Sequence, residues 1–93
     1  MTRQRFASVW DALEDSPAQA ENMKLRSALM IALKDHIEAR GLTQAAAAKV
    51  LGVTQPRVSD LMRGKIELFG LDGLVGMCAA SGLRVEIQVS RAA

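Results

Sequence analysis

The chain has few of the residue types that form disulfides, metal sites and catalytic groups. Its 93 residues include one cysteine, Cys78, one histidine, His36, and no tyrosine. A single cysteine cannot form an intramolecular disulfide, and no cysteine cluster with zinc-site spacing exists. The sequence also contains no nucleophile elbow and no phosphate-binding loop. We therefore predict an intracellular protein with no catalytic residues, no metal and no cofactor.

Long apolar runs are also missing from the sequence. No stretch approaches the roughly 18 consecutive apolar residues of a membrane span, and residues 1–6 lack the apolar core of a secretory signal. We therefore expect a soluble, cytoplasmic protein with no membrane partner. At 49% hydrophobic residues, 93 residues can form one compact core but not two. A single domain spanning residues 1–93 is the prediction.

The positive charge is concentrated in the middle of the chain. The net charge is +2 overall, but residues 40–65 contain five basic residues against Asp60 alone. The segments on either side each carry a small excess of acidic residues. This distribution indicates a local surface for a polyanion, and its alternative is an ordinary solvated face.

Apolar spacing predicts four to five helices. Residues 1–15 are interpreted as a short N-terminal helix or arm, with apolar residues at helical spacing: Phe6, Val9, Trp10 and Leu13. Ser16 and Pro17 begin a long helix over roughly 17–40, whose predicted buried side carries Met23, Met30, Leu33 and Ile37. After a loop containing Phe69, a last helix, ending at Gly82, has its own apolar set: Leu71, Leu74, Val75, Met77 and Cys78. The helical core is predicted over residues 16–82.

Two short helices over residues 43–64 form the most informative segment. Thr43 is predicted to cap the first helix, in which four successive alanines give high helix propensity and a low packing profile. Gly52 allows a tight left-handed turn, after which Thr54 caps the second helix. Val58 and Leu61 are expected to anchor that second helix on the core, and this leaves its other side exposed.

The exposed side of the second helix has the chemistry to read base edges in the major groove. Gln55 can form a bidentate pair with adenine and Arg57 with guanine, while Ser59 suits a base or a phosphate. The predicted base-reading residues are Gln55, Arg57, Ser59 and Asp60. The predicted phosphate-positioning residues are Thr43, Gln44, Lys49, Thr54, Arg63 and Lys65. Helix pairs with a glycine turn also occur in proteins that bind no DNA, and that alternative stays open here.

The C-terminal residues change from helical to alternating periodicity. Over residues 83–90 apolar and polar residues alternate, which predicts a half-buried strand. Its apolar positions are Leu83, Val85, Ile87 and Val89. A single strand needs a second edge, and no other strand is predicted in the chain. We expect the same strand of a second copy to supply it, giving a homodimer. Pairing with the edge of a different protein is the alternative.

The segment from Thr43 and Gln44 to the run GVTQPRVS at residues 52–59 resembles the helix-turn-helix of the phage-repressor (Xre) family. The resemblance implies a mainly α, lambda-repressor-like bundle with one C-terminal β-strand. It also implies that Gln44 and Gln55 occupy positions that contact DNA at the starts of the two helices. Pro56 departs from the polar residue of many phage repressors, so the base preference of the family does not transfer.

More of the chain resembles a branch of small antitoxin-like regulators that combine such a domain with a short N-terminal segment, here VWDAL at residues 9–13, and a C-terminal strand. That resemblance implies an antitoxin that binds a toxic ribonuclease and represses its own operon. The leading hypothesis is therefore a dimeric repressor of a palindromic operator, with double-stranded DNA as its partner. The alternative is a protein-binding module that neutralises a toxin.

Overall fold

The computed structural model describes residues 16–91, and this part of the chain is helical apart from its connections and its C-terminal tail. The elements are α1 (Pro17–Ala39), α2 (Gln44–Leu51), α3 (Gln55–Met62), a 3₁₀ turn (Ile66–Leu68) and α4 (Leu71–Ala80). The mainly α prediction is confirmed. The N-terminal helix predicted over residues 1–15 lies outside the described residues. Within residues 16–91, no helix is both long enough and apolar enough to cross a bilayer.

Side-chain caps begin three of the helices at the residues that the sequence indicates. The Ser16 hydroxyl accepts the Gln19 N–H at 3.0 Å at the start of α1. Thr43 and Thr54 accept N–H groups in the same way at the starts of α2 and α3. Each cap satisfies a backbone donor that has no partner inside its helix. Local chemistry therefore determines where these helices begin.

The core lies where all four helices meet. Its buried side chains include Leu33 from α1, Leu51 from α2, Leu61 from α3 and Leu74 from α4. The prediction that Met23 belongs to the buried side of α1 is wrong, since Met23 is 41% exposed. The buried residues of α1 begin only at Met30. The first turns of α1 thus have little to pack against among the described residues.

Cys78 is a core residue and not an exposed thiol. Its side chain is buried among the apolar residues of the bundle. Burial raises the pKa of the Cys78 thiol above its usual range, because the apolar surroundings disfavour the thiolate. The thiol therefore stays protonated near neutral pH and contributes to packing.

The tail after α4 does not form a strand within residues 16–91. Gly82, at φ 86°, redirects the chain after α4, and Leu83 and Val85 then pack partly against the core. Ile87 and Val89 are 77% and 88% exposed. A ladder requires a second strand, and this one chain provides none among its described residues. Strand pairing by the tail therefore stays a prediction about two copies.

Candidate nucleic-acid interface

The turn between α2 and α3 depends on Gly52. This residue has φ 72° and ψ 32°, a left-handed conformation that glycine adopts without steric cost. The N–H groups of Gly52 and Val53 both bond to the Ala48 carbonyl, so one of the last four carbonyls of α2 is satisfied. The small side chains of Ala47 and Ala48 are buried beside the turn. These residues let α2 and α3 pack as a close pair.

We expect Gly52→Ala to lower the free energy of unfolding by about 1 kcal/mol, because a Cβ disfavours the left-handed conformation. The added Cβ would lie 3.9 Å from that of Ala80, an ordinary contact, so the cost arises in the backbone. Gly73→Ala in α4 is the matched control, since its Cβ would meet nothing within 4 Å. Alanine should stabilise that helix by roughly 0.5–1 kcal/mol. Urea denaturation measures the free energy of unfolding of both variants. If both were stabilised or both destabilised, the left-handed conformation of Gly52 would not explain the effect.

Burial of one side of α3 determines which residues it presents to solvent. Val58 and Leu61 are fully buried, as the sequence predicts. Gln55, the first residue of α3, is exposed, while Ser59 and Asp60 are partly exposed. Gln55 follows the Thr54 cap directly, so its side-chain amide is carried by the first residue of the helix. This end of α3 is therefore the part best placed to approach a partner.

Asp60 and Lys65 are connected at the other end of α3. The Lys65 Nζ lies 3.6 Å from an Asp60 carboxylate oxygen, and the Lys65 N–H donates to the Asp60 carbonyl at 3.1 Å. Both side chains are partly exposed, so the ion pair contributes little to stability. The pairing joins a predicted base-reading residue to a predicted phosphate-positioning residue. It also reduces the repulsion that an isolated Asp60 would exert on a polyanion.

The predicted phosphate-positioning residues lie on the surface of the helix pair. Gln44, Lys49 and Arg63 are exposed. Thr43 and Thr54 are exposed as well, and their hydroxyl oxygens accept N–H groups as helix caps. A hydroxyl that accepts one hydrogen bond keeps its own proton for donation. Both threonines can therefore cap a helix and still donate to an anionic oxygen.

The guanidinium of Arg57, a predicted base-reading residue, contacts the segment that follows α3. Its Nη1 donates to the Leu68 carbonyl at 2.8 Å, and the guanidinium carbon lies 4.0 Å from the centroid of the Phe69 ring. Phe69, which the sequence places in a loop, is almost completely buried. The side chain therefore connects α3 to the segment that follows it.

Arg26 has a role that sequence reasoning missed. Its Nε donates to the Asn22 side chain at 2.6 Å, and its Nη1 donates to the carbonyls of Ile66 and Phe69 at 3.2 and 3.4 Å. These carbonyls lie 40 and 43 residues further along the chain. No local pattern connects residues so far apart, so only the folded chain shows the contact.

The family model of a helix-turn-helix domain matches residues 12–90. The chain belongs to the helix-turn-helix family. It is also similar to a solved structure named as an XRE-family transcriptional regulator, with 37% identity and a TM-score of 0.71. The match covers 78% of this chain and 82% of that chain. No curated protein matches the sequence. The Xre-type resemblance of the helix-turn-helix segment is confirmed.

Proposed function

We propose that this helix-turn-helix protein is a sequence-specific DNA-binding transcriptional regulator, acting as a dimeric repressor on a palindromic operator. The observation that carries the proposal is the exposed N-terminal end of α3, with Gln55 on a helix that Val58 and Leu61 fix to the core. An α-helix fits the major groove, which is about 12 Å wide, and a glutamine there can pair with adenine. Ser59 and Asp60 extend the same reading surface.

Charge supports the same interface. Residues 40–65, which include α2 and α3, contain five basic residues and one acidic residue, Asp60. Asp60 is itself paired with Lys65. Lys49 and Arg63 are exposed and are proposed to bind phosphates on either side of the groove. Phosphate contacts of this kind set the position of a domain on the duplex without reading its sequence.

Dimerisation through the tail completes the proposal. Two copies whose tails pair antiparallel across a two-fold axis would give each strand the edge that one chain does not provide. Their α3 helices would then reach successive major grooves about 34 Å apart. Repression follows from such a dimer when its operator overlaps a promoter. The XRE-family regulator that this chain resembles adds support for a role in transcription.

Titration of the protein against DNA from its own promoter tests the proposal. We expect tight, salt-sensitive binding that Gln55→Ala weakens by about 1–3 kcal/mol, because the variant loses a bidentate contact with a base. Fluorescence anisotropy at several salt concentrations measures the affinity, with an unrelated duplex for comparison. Lys24→Ala is the control variant, since Lys24 lies on α1 with its amine paired to Glu21 at 3.2 Å. Equal, weak binding of both duplexes would contradict the proposal.

Neutralisation of a partner protein is a second candidate function. Leu25 and Ile31 are large, exposed apolar residues of α1, outside the helix pair. Contiguous exposed apolar groups mark protein-binding surfaces, and these two residues are the proposed contribution of α1 to such a surface. An antitoxin would combine this surface with operator binding. The test is co-purification with the product of an adjacent gene. If the Gln55→Ala variant still co-purifies with that partner, the second function is supported. If the variant loses both the partner and DNA binding, the two functions do not use separate surfaces.

A further inference from the structure

The segment of residues 66–69 receives an arginine from each of two helices. It contains the 3₁₀ turn and Phe69, and it connects the end of α3 to the start of α4. Arg26 donates to its Ile66 and Phe69 carbonyls from α1. Arg57 donates to its Leu68 carbonyl from α3. Three of the four carbonyls in the segment are therefore bound by guanidinium groups.

Arg57 makes two kinds of contact that the planar guanidinium allows at the same time. One nitrogen donates to the Leu68 carbonyl, and the cationic group lies over the Phe69 ring at 4.0 Å. The ring is itself buried in the core, so its position is fixed by packing. A lysine ammonium lacks the planar fork that makes both contacts together. The side chain thus attaches α3 to a rigid part of the domain.

The short length of α3 makes such an attachment important. The helix has eight residues, of which Val58 and Leu61 are buried. Burial of these two residues, one turn apart, sets which side of the helix faces the core, but it leaves small changes in the rotation and tilt of so short a helix. Contacts with bases require side chains to be held within roughly 0.5 Å of the productive geometry. A further contact outside the core can supply the missing restraint.

We propose that Arg57 is a positioning residue, which sets the orientation of α3 through the 66–69 segment and does not read a base. Arg26 is its counterpart, because it holds the same segment to α1 and its hydrogen bonds go to Asn22, Ile66 and Phe69, none of which is a base-reading residue. The inference rests on the proposed DNA-binding function. It revises the sequence-based expectation that Arg57 pairs with guanine, because reading a guanine would require the guanidinium to leave Leu68 and Phe69.

The test measures affinities for promoter DNA and for duplexes carrying each single base-pair change in one half-site. Wild type is compared with Arg57→Ala, Arg57→Lys and Arg26→Ala, at a temperature where circular dichroism shows each one folded. We expect Arg57→Ala to lose roughly tenfold or more in promoter affinity, as for a hydrogen bond to a charged group. Its discrimination should weaken at several base pairs, and Arg26→Ala should reproduce that profile. Arg57→Lys should fail to restore it.

Other outcomes overturn the inference in recognisable ways. If Arg57→Ala abolishes discrimination at one base pair only, and Arg26→Ala does not, then Arg57 reads that base. If Arg57→Ala loses the same affinity for every duplex, Arg57→Lys restores binding, and the log–log salt slope falls by about 0.9, then Arg57 binds a phosphate. Should Arg57→Ala fail to fold, the Arg57→Lys and Arg26→Ala profiles decide between these roles. Wild type that does not prefer its promoter over an unrelated duplex overturns the proposed function itself.

Discussion

Removal of residues 87–93 should leave a folded monomer whose affinity for a palindromic operator is lower by roughly two orders of magnitude. The truncation removes Ile87 and Val89, which are the most exposed large apolar residues within residues 16–91. It keeps Leu83 and Val85, which pack partly on the core. A dimer that holds two α3 helices makes the second half-site contact intramolecular, and the monomer loses that advantage.

Sedimentation velocity gives the oligomeric state, and anisotropy with full and half operators gives the affinities. The alternation of the tail provides a matched pair of full-length variants. Ile87→Glu with Val89→Glu places two carboxylates on the apolar face and should dissociate the dimer. Gln88→Glu with Ser90→Glu makes the same charge change on the other face and should be tolerated far better. A truncated protein that remains dimeric would overturn the assignment of the tail.

Leu61→Ala should lower the free energy of unfolding by about 2–5 kcal/mol. Leu61 is fully buried between α3 and the core, so the substitution removes apolar contacts and leaves a cavity. Typical domains are stable by only about 5–15 kcal/mol, so this loss is a large part of the total. Operator binding should fall in proportion to the unfolded fraction.

Urea denaturation measures the change, and Leu25→Ala is its control. Leu25 is the same residue type in another helix, but it is exposed. Its replacement by alanine should change the free energy of unfolding by no more than about 0.5 kcal/mol. Similar losses for the two variants would mean that Leu61 does not anchor α3 in the way its burial indicates.

Local signals account for what the sequence could predict. Thr43 and Thr54 cap helices within three residues of themselves, and Gly52 determines its own turn, so these boundaries could be placed without knowledge of the fold. The alternation of residues 83–90 was equally visible, but its partner strand is expected from a second copy. The alternation predicts that the tail needs the edge of a partner strand, but it does not show which strand supplies that edge.

Long-range contacts account for what the sequence could not predict. Helical spacing placed Met23 on the buried side of α1, but it cannot show where along α1 the other helices begin to pack. Phe69 was assigned to a loop, although the loop passes through the core. The contacts of Arg57 with Leu68 and Phe69 depend on that same path. The side chains that orient α3 are therefore the part of the site that only the folded chain reveals.

The shortness of α2 and α3 couples DNA recognition to the folding of the whole domain. Each helix has eight residues, and isolated helices shorter than about 12–15 residues are marginal in water. Neither helix would therefore persist once the core has opened, and a partly unfolded chain would not compete for the operator. Because only the native state binds, DNA raises the stability of the entire domain by an amount that grows with the logarithm of its free concentration divided by Kd. Bound DNA is therefore expected to protect the whole domain against heat and proteolysis.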